Sequence, residues 1–158
     1  MRENDNPETK RKFLLNMENN EVNEAKEEKF DRAEQAVAYK HAKVHNNCAQ
    51  SVLRAFQIEL GKPTEELRAL GSGFGNGMGC MEATCGALCG AAIVVGLLNK
   101  SDIPTNAIAR DMLQQFQEQA GATICGDLKG VKTHEPICSC DDCVRIATRL
   151  AEAQLPKL

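Results

Sequence analysis

Residues 82–98 read EATCGALCGAAIVVGLL. Nearly every position is small or apolar, and the single charge, Glu82, stands at the start. A segment apolar on all sides reads as a helix buried all round. Gly86, Ala87, Gly90 and Ala91 repeat at a spacing of four, so neighbouring helices can approach one face closely. The pattern predicts a central helix over 82–98 with a bundle packed about it. The longest apolar run, Ala91 to Leu98, is far shorter than the roughly 20 residues a bilayer span needs.

Helical spacing continues on both sides of this segment. Ala33, Val37 and Ala42, flanked by Tyr39, predict a helix from Phe30 to Lys43. Asn46 and Asn47 are good N-cap residues. They precede a helix from Cys48 to Leu60 with apolar positions at Cys48, Val52, Ala55, Phe56 and Leu60. Gly61 stops it. Pro63 to Glu66 open a short helix to Leu70. Pro104 opens another to Gln119, and Gly121 ends it. The last helix spans Asp141 to Ala153. Residues 71–79, GSGFGNGMG, read as a compact loop. Residues 125–128 are a loop or a short helix. No alternating strand pattern and no internal repeat occur. The fold class is all-α: a compact bundle of about five to six helices around a small-residue central helix. Composition agrees, because with no Trp, one Tyr and 4% aromatic residues, Ala, Leu, Gly and Cys must fill the core.

Residues 1–28 carry mixed charge and few apolar side chains, too few to offset the entropy of ordering. They read as a polar tail. A short helix around Phe13 to Met17 would pack only in an oligomer, which admits a homodimer. Residues 29–158 form the single helical, cysteine-rich domain. A net charge of −3 argues against a nucleic-acid partner, which requires a clustered basic surface. Residues 1–12 lack the apolar segment of a secretory leader, so the chain is expected in the cytoplasm, with no membrane span.

Eight cysteines in a reducing compartment point to metal binding or redox chemistry. They are Cys48, Cys80, Cys85, Cys89, Cys125, Cys138, Cys140 and Cys143. Several fall at expected helix starts, where unpaired N–H groups and the helix dipole favour a thiolate. Cys85 and Cys89 are four apart on one helix, with Cβ atoms about 5–6 Å apart, too far for an unstrained disulfide. Residues 138–143 hold a Cys-x-Cys and a Cys-x-x-Cys, a spacing shared by redox pairs and metal sites. Asp141 and Asp142 beside them should raise thiol pKa values. Val144 after Cys143 excludes covalent haem attachment. His41, His45 and His134 read as solvated rather than ligating. The alternating glycines follow no strand and lack a suitably placed Lys, so they are not a phosphate loop. They are expected instead to leave backbone N–H groups free to approach Cys80 and Cys85.

Together these residues resemble the redox-active C_GCAxxG_C_C family, small proteins recognised by four cysteines and a Cys-Gly-Ala-x-x-Gly motif. The motif is Cys85-Gly86-Ala87-Leu88-Cys89-Gly90. The upstream cysteine matches Cys48 in Asn47-Cys48-Ala49-Gln50, and the glycine segment 73–79 resembles the family's glycine loop before the motif. The third matches Cys125 in Cys125-Gly126-Asp127-Leu128, and the fourth matches Cys140, with Val144 and Ala147 at the family's spacing. The resemblance covers roughly residues 30–153 and implies a helical fold and a redox role. Cys80, Cys89, Cys138 and Cys143 are additions to the pattern.

Two chemistries follow, for an electron carrier or an oxidoreductase with an unidentified redox partner protein. In one, Cys48, Cys85, Cys125 and Cys140 ligate an iron–sulfur cluster. In the other, a low-pKa thiolate attacks a partner disulfide and a second cysteine resolves it, with Cys140 and Cys143, or Cys85 and Cys125, as the pair. The same four thiolates would equally suit a structural zinc ion with no redox role.

Overall fold

A computed structural model describes residues 30–158. The tail expected over 1–28 lies outside the described residues. The helices are α1 (Arg32–Lys40), α2 (Cys48–Ala55), α3 (Gln57–Leu60), α4 (Thr64–Gly71), α5 (Gly86–Leu98), α6 (Thr105–Ala120), α7 (Cys125–Leu128) and α8 (Cys140–Gln154). Among the described residues no strand forms, and one isolated bridge pairs Thr84 with Ile124. Six of these helices have eight or more residues, and α3 and α7 are single turns. The protein is therefore all-α, and none of its described helices is long and apolar enough to cross a membrane.

The central helix begins four residues later than the apolar pattern predicts. The reason is the bridge. Cys85 N–H donates to the Thr123 carbonyl at 2.7 Å, and Cys125 N–H donates to the Ala83 carbonyl at 3.0 Å. These bonds hold residues 83–85 extended against 123–125, so Cys85 becomes the N-cap of α5 instead of an interior residue. α5 buries Gly86, Ala87, Leu88, Gly90, Ala91, Val94 and Val95 between α2, α8 and α6. It is not buried all round, because Leu97 near its end is 42% exposed.

The helix expected over 48–60 breaks at Phe56 (φ −108°, ψ 18°). The ring of Phe56 is fully buried there, beneath the Arg32 guanidinium at 4.5 Å, so side-chain burial takes precedence over helix continuity. Asn47 caps α2 in both directions. Its Oδ1 accepts from Gln50 N–H at 2.9 Å, and Gln50 Oε1 accepts from Asn47 N–H at 2.9 Å. This is a reciprocal capping box. Asn47 also donates to the carbonyls of Gly71 and Ser72, tying the start of α2 to the end of α4.

The glycine segment is more ordered than a loop. Gly71 closes α4, Ser72–Phe74 form a 3-10 turn, and Gly77–Met81 form a π-type turn through left-handed residues. Arg32 ties α1 to its neighbours, donating to Glu152 at 3.0 Å, to the Ala55 carbonyl at 2.7 Å and to Glu59.

Candidate functional site

Four helices begin on a cysteine at the same place in the fold. Cys48 opens α2, Cys85 caps α5, Cys125 opens α7 and Cys140 opens α8. All four line one small cavity of about 20 Å³, and Cys138 and Cys143 line it too. Asn76, Gly86, Leu128 and Lys129 complete its wall. Helix N-termini carry unpaired N–H groups and positive dipole ends, so the cavity is built to hold negative sulfur.

Cys48 and Cys140 act on each other's thiol, and Cys143 acts on those of Cys85 and Cys138. Cys48 is the main influence bringing Cys140 down to about 6, with Lys129 and Lys40 adding to it against partial burial. Cys143 brings Cys85 down to about 7, against strong desolvation and with help from the amides of Ala87 and Leu88. The partners respond in the opposite sense. Cys48 and Cys143 are pushed up, because each keeps its proton turned toward a neighbouring sulfur and is itself desolvated. Burial also raises Cys125 and Cys138. The surroundings thus favour the thiolate at Cys140 and Cys85 over the thiolate at Cys48 and Cys143.

Cys140 is half-buried, whereas Cys85 and Cys143 are buried. Cys140 with Cys48 is thus the outer pair. Asp141 does not dominate Cys140 as its sequence neighbourhood suggests. Its carboxylate is taken by Lys40 at 2.9 Å and by His41 at 2.9 Å. Asp142 turns to Ser139 Oγ at 2.7 Å and Arg145 at 3.0 Å. His41 thus faces a carboxylate.

Cys80 and Cys89 stand apart from the cavity. Cys80 is exposed and donates to the Gly77 carbonyl at 3.6 Å, and Cys89 donates to the Thr84 carbonyl at 3.8 Å. The glycine segment contributes Asn76, whose Oδ1 accepts from Lys129 Nζ at 2.8 Å, and Gly77, which abuts Cys125. Lys129 and Asn76 were not legible as site residues, although Lys129 directly follows the Cys125 motif.

The family motif also has a packing logic. A Cβ on Gly86 would lie 2.5 Å from the Phe74 carbonyl oxygen, and one on Gly90 would lie 2.7 Å from the Ala49 carbonyl oxygen. Both glycines let α5 touch backbone directly, which sets Cys85 against Cys48 at the head of α2. A model of the family described as "Putative redox-active protein (C_GCAxxG_C_C)" matches residues 46–154, well over half of the chain. The chain belongs to this family. Neither the curated proteins nor the solved structures contain a match. The C_GCAxxG_C_C match begins at Asn46 and ends at Gln154, so it contains all six cysteines of the cavity.

Thiolates are soft ligands, and this donor set suits iron–sulfur, zinc or another soft metal. The cavity of about 20 Å³ is close to the volume of one water-sized sphere. It fits a single small ion, and a larger cluster would require the thiols to move outward. Among the described residues no three His, Cys, Asp or Glu side chains stand as ready ligands of one ion.

Proposed function

We propose that this member of the C_GCAxxG_C_C family is a thiol–disulfide redox protein whose outer pair is Cys140 and Cys48. One observation carries the reading: Cys140, half-buried at the first turn of α8, and Cys48, at the first turn of α2, line the same small cavity, with the Cys140 thiol drawn down chiefly by its Cys48 neighbour. A thiolate with a low pKa and a neighbouring thiol is the arrangement that disulfide exchange uses. Cys140 thiolate attacks one sulfur of a partner disulfide. A mixed disulfide forms, and the partner's other sulfur leaves with the electron pair. Cys48 then loses its proton and attacks Cys140 Sγ. The Cys48–Cys140 disulfide forms, and the partner leaves as a dithiol. The partner gains two electrons, and the pair loses two. A dithiol reductant returns the pair to its starting state. Cys85 and Cys143 form an inner pair of the same chemistry, with Cys125 beside them. A reducing compartment such as the cytoplasm suits a pair that must be recharged.

A second reading rests on the four cysteines of the family pattern lining one cavity. Cys48, Cys85, Cys125 and Cys140 would hold an iron–sulfur cluster, which when bound supplies one-electron storage. A zinc ion on the same thiolates is the non-redox version. Anaerobic purification followed by metal, acid-labile sulfide and free-thiol counts separates the three. The expected result is little bound metal and a reversible loss of two thiols that maps to Cys48 and Cys140. Iron with stoichiometric sulfide replaces this reading with the cluster, and zinc at one per chain replaces it with the structural site.

A further inference from the structure

Cys138 borders two cavities. It lines the cysteine cavity and also a surface groove of about 550 Å³ bounded by Ile137, Asp142, Arg145, Ile146 and Arg149. No other described residue lines both. On its inner side Cys138 lines one cavity of about 20 Å³ together with Cys143 and Cys85, and Cys143 acts on the thiols of both. Three sulfurs thus form a chain from the groove to the N-terminus of α5. Cys138 and Cys143 stand outside the four-cysteine pattern, and the outer exchange through Cys140 does not use them.

We propose that Cys138 is a second exchange point, through which the buried Cys85–Cys143 pair trades its disulfide with a small carboxylate-bearing thiol seated in the groove. The proposal rests on the thiol–disulfide reading. The groove volume falls in the range typical of small-molecule sites, about 300–1,000 Å³. Its wall carries two guanidinium groups, Arg145 and Arg149, and guanidinium matches carboxylate geometry. Arg145 is paired with Glu34 and Asp142, so a ligand carboxylate at this guanidinium has to share or displace those partners.

The steps balance. When Cys85 and Cys143 are joined, Cys138 loses its proton and attacks Cys143 Sγ. The Cys138–Cys143 bond forms as the Cys143–Cys85 bond breaks. The electron pair leaves on Cys85 sulfur as a thiolate, which the N–H groups of Ala87 and Leu88 stabilise. A ligand thiolate then attacks Cys138 Sγ, forms a mixed disulfide and expels Cys143. A second ligand thiolate attacks the bound ligand's sulfur and releases Cys138. Two ligand thiols become one disulfide, and Cys85 and Cys143 end as thiols carrying the two protons. The reverse sequence reduces the ligand disulfide.

The test runs the reverse direction on full-length reduced protein, with glutathione disulfide as the probe and adducts mapped by mass spectrometry. In Cys143→Ser and Cys143→Ala the inner resolving thiol is gone. A mixed disulfide on Cys138 is expected to accumulate at least about tenfold above wild type. In Cys138→Ser, formation of the Cys85–Cys143 disulfide should slow by about the same factor, a readout that does not depend on the fold of the Cys143 variants. Absence of both effects, while Cys48→Ser accumulates an adduct on Cys140, overturns the second exchange point and leaves the outer pair standing. Absence of any adduct on Cys140 in Cys48→Ser removes the thiol–disulfide reading itself. In Arg145→Gln/Arg149→Gln, reaction at Cys138 should fall about five- to tenfold for glutathione disulfide and stay unchanged for uncharged hydroxyethyl disulfide. Equal rates for the two probes overturn the carboxylate-bearing ligand.

Discussion

A Cβ built on Gly77 would lie 2.6 Å from the Cβ of Cys125 and 3.0 Å from the Ala83 carbonyl oxygen. Gly77 also has φ +54°, a conformation that L side chains rarely adopt. The glycine segment therefore touches the site by packing against Cys125. Gly77→Ala is expected to cost about 1–3 kcal/mol through overpacking and backbone strain, and to push Cys125 out of the cavity wall. A denaturant melt and the alkylation rate of Cys125 check this. A variant with the stability and Cys125 reactivity of wild type would show that the contact is not needed.

Two glycines of α5 make opposite predictions. Gly90 faces the Ala49 backbone, with the Ala49 carbonyl oxygen 2.7 Å from an added Cβ, whereas Gly96 meets only Thr105 Cγ2 at 3.7 Å. Gly90→Ala should destabilise by about 1–3 kcal/mol, and Gly90→Leu by more. Gly96→Ala should stabilise by about 0.4–1 kcal/mol, because it lowers the entropy of the unfolded chain without a clash. Thermal midpoints of the pair decide it. If Gly90→Ala melts at or above wild type, the close approach of α5 to α2 is wrong.

Asn47 holds Cys48 in place from the position before it. Its capping box and its bonds to Gly71 and Ser72 all fix the first turn of α2. Asn47→Ala should cost about 1–2 kcal/mol, the upper range for a lost N-cap. It should also loosen the placement of Cys48 beside Cys140, raising the Cys140 thiol toward its ordinary range. Asn47→Asp retains the capping oxygen but loses the Nδ2 bonds to the Gly71 and Ser72 carbonyls, so it should recover only the capping part of the stability. A loss of stability equal in both variants would separate the cap from the effect.

Most of the helices were legible because their apolar residues recur at helical spacing and their ends carry Asn47, Gly61, Pro104 and Gly121. The start of α5 was not. Its sequence stays small and apolar back through Ala83 and Thr84, and only the distant pairing of Thr84 with Ile124 pulls those residues out of the helix. The break at Phe56 was hidden for a similar reason, since a buried aromatic ring sets the local backbone. At the site, the positions of Cys48 and Cys140 near helix starts could be read locally, whereas Cys85 was expected inside the central helix and Cys125 in a connection. Which sulfur acts on which could not, because each pairing joins a different pair of elements. Cys138 and Cys143 looked like extras for that reason, and Lys129 carried no motif at all.

The final prediction concerns pH. Cys140 is brought down to about 6, first by its Cys48 neighbour and then by Lys129 and Lys40. An ordinary thiol titrates near 8.5. The thiolate is the reactive form, so alkylation of Cys140 should rise with pH through a midpoint near 6, hold level above about 7, and fall about tenfold per pH unit well below the midpoint. Linkage gives the same sign for stability. The contribution of the Cys140 thiolate is present above the unfolded value and is lost as the pH falls from about 8.5 through 6. Cys48 works in the opposite sense, because its raised thiol disfavours the folded state once the pH exceeds its unfolded value. Cys48→Ala should move the Cys140 midpoint up by removing the largest stabilising partner. Lys129→Gln should move it up by less, because the lysine is the smaller influence. Alkylation with iodoacetamide across pH 5–9 (an assay window chosen about the Cys140 midpoint of about 6), resolved by peptide mapping, measures all three midpoints. A wild-type midpoint near 8.5, unmoved by either substitution, would mean that Cys140 is an ordinary thiol and that the outer pair lacks its attacking group.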